Sequence, residues 1–495
     1  MGKRRKQNNK KTYRGLLDFS NKKDPFIDCV KIAHHVKLGS SIINYLHGDV
    51  VEFEILSRKR KGFYLGNILG LIERKKKEYV AVIQINKNFA FAIIEDRKVH
   101  SDVFIPSGNI GNAHDGDKVL IKILDWKKQD LSPIGKVEKI LGKPGEHTTE
   151  IDTILSKNSI EINFSDEVKD FTKNISEKIS EKEIEKRRDF RKTLTFTIDP
   201  TDAKDFDDAL SYKKIENNNI EIGIHIADVS HYVIPGTILD KEAYHRATSI
   251  YLVDRVIPML PEKLSNNLCS LKPNVDRLTY SVIIKFDSKF SIIDYWIGRT
   301  VIHSKKRFTY DEAQESINNE NGLFHNKLKT LNTIAKKLRE KRFSSGSFNF
   351  SSNEIKFRLD NEKKPIEVFK KKRKDTHKMV EEYMLLANKL VAEKIISIEK
   401  KEKKNYPFVY RIHEDPQESK ISELKNYISQ FGYTINTNEG SLANSLNSLM
   451  REIKGKPEER SVEKFAIRSM SKAKYSTTKE KHFGLSFRHY THFTS

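Results

Sequence analysis

Five carboxylates, Asp199, Asp202, Asp205, Asp207 and Asp208, fall within ten residues of one segment, TIDPTDAKDFDDAL. Crowding like charges raises their pKa values and destabilises a fold unless a cation neutralises them. Oxygen ligands at this density suit a hard divalent ion, Mg²⁺ or Mn²⁺, and phosphoryl transfer uses such ions to activate water and hold the leaving oxygen. A solvated acidic loop is the other reading. Against it, Ile198, Phe206, Ala209 and Leu210 are apolar neighbours that should hold the run at least partly in the core. An EF-hand is disfavoured because the DxDxDG loop and its closing glutamate are missing, and no phosphate-cradling GxxxxGK[ST] loop appears.

Other residues have suggestive types. In DTHKMVEEYMLLANKL, Asp375 can cap a helix whose Met379, Tyr383, Leu386 and Leu390 form an apolar stripe. At about 100° per residue Glu382 borders that stripe while Glu381 points nearly opposite, so only Glu382 is placed to reach a buried site. A solvated acid at the edge of the core is the alternative. In NKNFAFAII, Phe89 and Phe91 share one strand face beside lysines, which suits base stacking or, equally, core packing. His225, Asp228 and His231 have ligand-like types, but their spacing puts them on no single face, so structural roles are expected. The run Lys370 to Lys374, KKKRK, is either a lining for an RNA channel or a solvated loop.

The elements that must position these residues change along the chain. Residues 1–12 read as a basic disordered tail, and 13–70 and 71–130 as two copies of one small all-β module. A weak repeat supports the duplication: His47-Gly48-Asp49 leads into VVEFEI, and Asp115-Gly116-Asp117 leads into KVLIKI. Residues 131–190, containing SEKISEKEIEKRRDF, read as linker plus an exposed charged helix. From 191 to 495 the texture is mixed strand and helix, with TLTFTI and IEIGIHIADV as strands, marking the catalytic domain candidate.

The 495 residues allow about three domains at ~150 residues each. Lysine and arginine number 91 against 68 acids, a formal charge of +23 that attracts polyanions, nucleic acid first among them. An AT-biased, lysine-rich composition would produce the same excess. Cys29 and Cys269 are too few and too far apart for a disulfide framework, which fits a reducing cytoplasm. No apolar signal core follows the basic N-terminus, and no run is long enough to span a membrane.

Longer segments carry a resemblance. TIDPTDAKDFDDA resembles the signature of the ribonuclease II/R family, and HIADVSHYV, RATSIYLVDRVIPMLPEKLSNNLCSL, VEEYMLLAN, YRIHEDP and HFGLSFRHYTHFTS follow in that family's order. The match lies nearest the bacterial ribonuclease R members. The resemblance implies two cold-shock (OB-like) barrels followed by an α+β ribonuclease II-type catalytic domain. It also implies hydrolysis of single-stranded RNA from the 3′ end to nucleoside 5′-monophosphates. Residue by residue, it places Asp199, Asp205, Asp207 and Asp208 on the acids holding metal ions at the scissile phosphate, and Tyr251 on the aromatic stacking against the terminal base. Phe350 would be the opposing aromatic, and Glu382 the acid near the terminal ribose, where a 2′-hydroxyl contact favours RNA over DNA. The family pattern continues past the motif at Ser495 into an arginine, a glutamate and a further RNA-binding domain, so a C-terminally truncated chain of impaired activity is expected. The alternative is an RNA-binding protein with an inactive nuclease domain, whose usual mark, lost aspartates, is missing. The implied partner is single-stranded RNA, with Mg²⁺ or Mn²⁺ but no organic cofactor and no membrane, for a monomer working in the cytoplasm.

Overall fold

The computed structural model describes residues 11–20, 25–32, 34–38, 44–58, 63–127, 131–348, 354–437 and 442–494. The chain divides into two compact units, residues 1–163 and 164–495.

Short alternating strands in the first unit close on themselves twice, and closure removes the unpaired edges a small sheet would otherwise expose. The first barrel contains β1 (Thr12–Asp18), β2 (Phe26–Asp28), β3 (Val36–Leu38), β4 (Val50–Arg58) and β5 (Tyr64–Glu73) around Leu17, Ile27, Val51 and Phe53. The second contains β6 (Glu78–Asn86), β7 (Phe89–Ile94), β8 (Val103–Pro106), β9 (Lys118–Asp125) and β10 (Ile134–Gly142) around Ile83, Ala90, Ala92, Ile105 and Ile121. The repeated Gly-Asp is one device used twice. Gly48 and Gly116 lie at φ 84° and 79°, the left-handed region that a Cβ disfavours. Each following aspartate then accepts a backbone N–H three residues back, Leu46 to Asp49 and His114 to Asp117, both at 2.8 Å. Each glycine N–H ties the turn to its barrel's first strand, at Leu17 and Ile83.

Two boundaries differ from the sequence reading. β5 runs past residue 70, and the second barrel does not end at 130: β10 completes it by pairing with both β8 and β9. The barrel is followed by α1 (His147–Lys157), which buries Ile151 and Leu155. Helix α2 (Asp166–Lys173) precedes the charged stretch expected as an exposed helix, and that stretch supplies only the five-residue α3 (Glu181–Glu185) before β11 (Arg188–Asp189). Arg187 is buried there by ion pairs to Glu183 (2.7 Å) and Asp228 (2.8 Å). A segment poor in apolar residues entered the core through charge pairing, which hydrophobic periodicity does not register.

The second unit is built on a seven-stranded sheet. After β11 come β12 (Leu194–Asp199), β13 (Asp208–Lys214), β14 (Ile220–Ala227), helix α4 (Ile238–Arg246) and a short hairpin of β15 (Ile250–Tyr251) and β16 (Val256–Ile257). Then follow β17 (Asp276–Phe286), β18 (Ile292–His303) and β19 (Lys306–Thr309), giving the order β11-β18-β17-β14-β13-β12-β19. One sheet face, with Phe196, Ile198, Ile222, Ile224 and Phe308, joins a core with α5 (Tyr310–Asn318), α6 (His325–Ser344) and α7 (Asp375–Glu402). β14 is buried along its whole length, so its second face is inside too. There His225 bridges Ser211 and Ser281, and Gly223 is required beside it: a Cβ would come within 2.4 Å of the imidazole and of the Ser211 hydroxyl.

An exposed hairpin, β20 (Ile355–Leu359) and β21 (Pro365–Lys370), precedes α7. The expected stripe Met379, Tyr383, Leu386 and Leu390 is buried, but Asp375 is the first helical residue and Lys374 occupies the cap position. Beyond α7, β22 (Tyr410–Ile412) pairs with β23 (Lys474–Ser476). Between them α8 (Glu418–Ser429), α9 (Leu442–Glu452) and α10 (Glu459–Ser469) share a separate core that includes Leu424, Leu446 and Val462. No helix among the described residues is long and apolar enough to cross a membrane.

Candidate active site

β12 and β13 are neighbours in the sheet, so the fold delivers Asp199 at the end of one strand and Asp208 at the start of the other. Their pairing covers only Leu194–Phe196 against Leu210–Tyr212; beyond it the strands part, and Pro200, with no N–H to donate, ends β12. The intervening loop is anchored at Phe206, which is buried. Its N–H donates to Ser270 Oγ (3.0 Å), the same hydroxyl donates to the Lys204 carbonyl (2.8 Å), and the Leu271 N–H donates to the Phe206 carbonyl (2.8 Å). With Phe206 inside, its neighbours Asp205 and Asp207 are half-buried and exposed, and Asp202 is exposed.

The carboxylates feel one another. Burial pushes Asp199 up to about 6, with the charges of Asp207 and Asp205 adding to the rise, while the Thr197 hydroxyl, donating at 2.5 Å, and Arg307 oppose it. Burial likewise pushes Asp208 up to about 7, reinforced by Asp199 and Asp207. Four hard oxygen donors in mutual repulsion form the set that a divalent cation satisfies. As the side chains stand, no three His, Cys, Asp or Glu among the described residues converge on one point as metal ligands. Asp205 instead accepts a hydrogen bond from the Tyr251 hydroxyl at 3.2 Å.

Tyr251, on β15, is 67% exposed, so its ring is open to stacking while its hydroxyl is tied to Asp205. Glu382 is only 3% exposed, and its carboxylate accepts both arms of Arg342, at 2.5 and 3.2 Å; Arg342 also donates to Ser347 Oγ at 2.6 Å. Helical phase put Glu382 at the border of the apolar stripe but left its burial open and did not show its partner. Phe350 lies outside the described residues. Phe89 and Phe91 are partly exposed on β7, while Ala90 and Ala92 fill the barrel. Phe104 on β8 joins them, with ring centroids 5.7 and 5.8 Å away. The outward aromatic trio rules out core packing for these phenylalanines.

His225 and Asp228 are held by structural partners. His225 is buried and hydrogen-bonded on both nitrogens, and Asp228 pairs with Arg187. In the basic run, Lys371 pairs with Glu354, Arg373 with Glu381 and Lys374 with Asp311.

Two residues near the aspartates were missed by sequence reasoning. Tyr310 stacks on His377, with centroids 3.9 Å apart and planes 7° apart. Its hydroxyl pKa is raised by burial and by the charges of Asp208 and Asp199. The signal was present in RFTYDE: Thr309 and Glu312 form a capping box, which puts Tyr310 in the first turn after a strand. Arg307, on the strand beside β12, left no comparable mark.

Residues 187–495 match the RNB domain model, and residues 91–165 match a cold shock domain. Over 458 residues the chain is 36% identical to ribonuclease R of Thermotoga maritima, covering 91% of this chain and 64% of that protein. It is 35% identical to ribonuclease R of Chlamydia pneumoniae, covering 91% and 67% respectively. The structure of Mycoplasma genitalium RNase R in complex with ribose methylated single-stranded RNA matches with a TM-score of 0.85 at 27% identity, over 97% of this chain and 76% of that one. The chain thus spans about two thirds of the length of these curated relatives.

Proposed function

Because the chain belongs to the ribonuclease II/R family and is most similar to its ribonuclease R members, we propose that it is a 3′-to-5′ exoribonuclease that hydrolyses single-stranded RNA to nucleoside 5′-monophosphates. The observation that carries this reading is the placement of Asp199 and Asp208 on two neighbouring strands just where these part, with the charge of Asp207 bearing on both. Bound by these four carboxylates, two Mg²⁺ or Mn²⁺ ions would supply an activated water and charge neutralisation at the scissile phosphate. Tyr251 stacks on the terminal base, and its hydrogen bond to Asp205 couples the position of that base to the carboxylate set. Phe350 is assigned the opposite side of the base. Glu382 is assigned to the terminal ribose, a contact that requires it to share its carboxylate with Arg342.

Phe89, Phe91 and Phe104 offer upstream bases a stacking surface, at about 1–3 kcal/mol per base. Stacking reads no sequence, so degradation is largely non-specific. The enzyme acts as a monomer in the cytoplasm, without an organic cofactor.

The test is 5′-labelled single-stranded RNA incubated with the protein and Mg²⁺, with and without chelator. Stepwise shortening with release of 5′-mononucleotides, abolished by chelator, is expected. RNA binding without nucleotide release would put an inactive RNA-binding protein ahead.

A further inference from the structure

We infer that Arg307 is a positioning residue: its guanidinium clamps the loop between Asp199 and Asp207 and so presets the carboxylates for their cation. This rests on the reading of those aspartates as the reactive centre.

β19 runs parallel to β12, with Arg307 opposite Thr197 and Thr309 opposite Asp199. Paired residues of a parallel ladder rise on the same sheet face, and so do alternate residues of one strand. Arg307 therefore leaves the sheet on the side of Asp199. Its Nη2 donates to the Pro200 carbonyl and to the Thr201 carbonyl, the latter at 3.1 Å. The guanidinium carbon lies 5.4 Å from the centre of the Phe206 ring. One side chain thus grips the first two residues of the loop and the aromatic that anchors its far end.

Two points separate positioning from catalysis. The Nε is buried without a hydrogen-bond partner, so this part of the guanidinium faces the protein rather than a substrate. Reaching both carbonyls from Nη2 while the guanidinium carbon stays over the Phe206 ring also needs the shape of arginine, which lysine lacks though it keeps the charge. A role through charge alone makes an opposite prediction: removing a cation next to a metal site should tighten metal binding.

The experiment compares R307K and R307M with the unaltered full chain. It reads amide hydrogen exchange of residues 201–207 without metal, Mn²⁺ affinity by electron paramagnetic resonance, and kcat and KM on single-stranded RNA. The clamp predicts at least tenfold faster exchange in that segment for both variants, with the barrels unchanged. It also predicts Mn²⁺ affinity at least fivefold weaker in both, and kcat at least tenfold lower with KM within twofold. Unchanged exchange in R307K, or tighter Mn²⁺ binding by R307M, would overturn it. Should R307M fail to fold, R307K carries the test. A wild-type chain that binds Mn²⁺ but releases no nucleotide would defeat the nuclease reading, while exchange and Mn²⁺ affinity would still decide the clamp.

Discussion

Asp207 is the member of the aspartate set most open to solvent, and its charge raises both Asp199 and Asp208. Replacing it with asparagine keeps the shape and removes a ligand charge, so D207N should lower kcat on the order of 10³-fold. RNA affinity, measured with chelator present, should stay within twofold. His225 lies at the opposite extreme, fully buried between Ser211 (2.9 Å) and Ser281 (2.7 Å), and burial drives its pKa down to about 3. A histidine with a depressed folded-state pKa stabilises the fold fully above its unfolded value of about 6.5, and that contribution is lost as pH falls toward 3. The melting-temperature advantage of wild type over H225Q should therefore shrink steadily from pH 7 to pH 4; an advantage constant with pH would refute the assignment. Sequence made the crowding of the aspartates legible because like charges at close spacing have few stable solutions, while the choice of four among the five came from the family resemblance. It could not show that His225 would be encased, since that depends on serines from two other strands.

At the scale of elements, Arg342 on α6 and Glu382 on α7 join two helices through a buried fork. Removing one partner of a buried pair leaves an uncompensated charge, at a cost of about 3–5 kcal/mol. R342M should destabilise the chain by about that amount in urea titration. R342M combined with E382Q should recover much of it, because the orphaned charge is gone. The phase of the α7 stripe placed Glu382 correctly at the core edge, since about 100° per residue is a local rule. Arg342 escaped because the partnership arises only when α6 packs on α7. The β7 strand shows the same division. Alternation put Phe89 and Phe91 on one face but left open which face is inside; the closed barrel settles it, for small alanines suit its narrow interior. Double replacement F89A/F91A should weaken RNA binding by about 1–3 kcal/mol for each lost base stack, while circular dichroism of the protein stays unchanged.

For the whole molecule, the division of labour follows the two units: an aromatic surface in residues 1–163 and a carboxylate set in residues 164–495. The boundary at 130 was misplaced because β10 lies after a loop rich in turn residues, and its role in closing the barrel is a long-range pairing with β8. The net charge of +23 sets how the molecule meets a polyanion. Each phosphate neutralised on a single strand releases condensed counterions, giving a slope of log affinity against log salt of roughly −0.7 per contact. With about six phosphates engaged, the slope should lie near −4 by the same rule. Stacking releases no counterions, so F89A/F91A should lower affinity at every salt concentration while leaving the slope unchanged. A variant slope markedly shallower than wild type would show that the phenylalanines act by positioning the basic residues rather than by stacking.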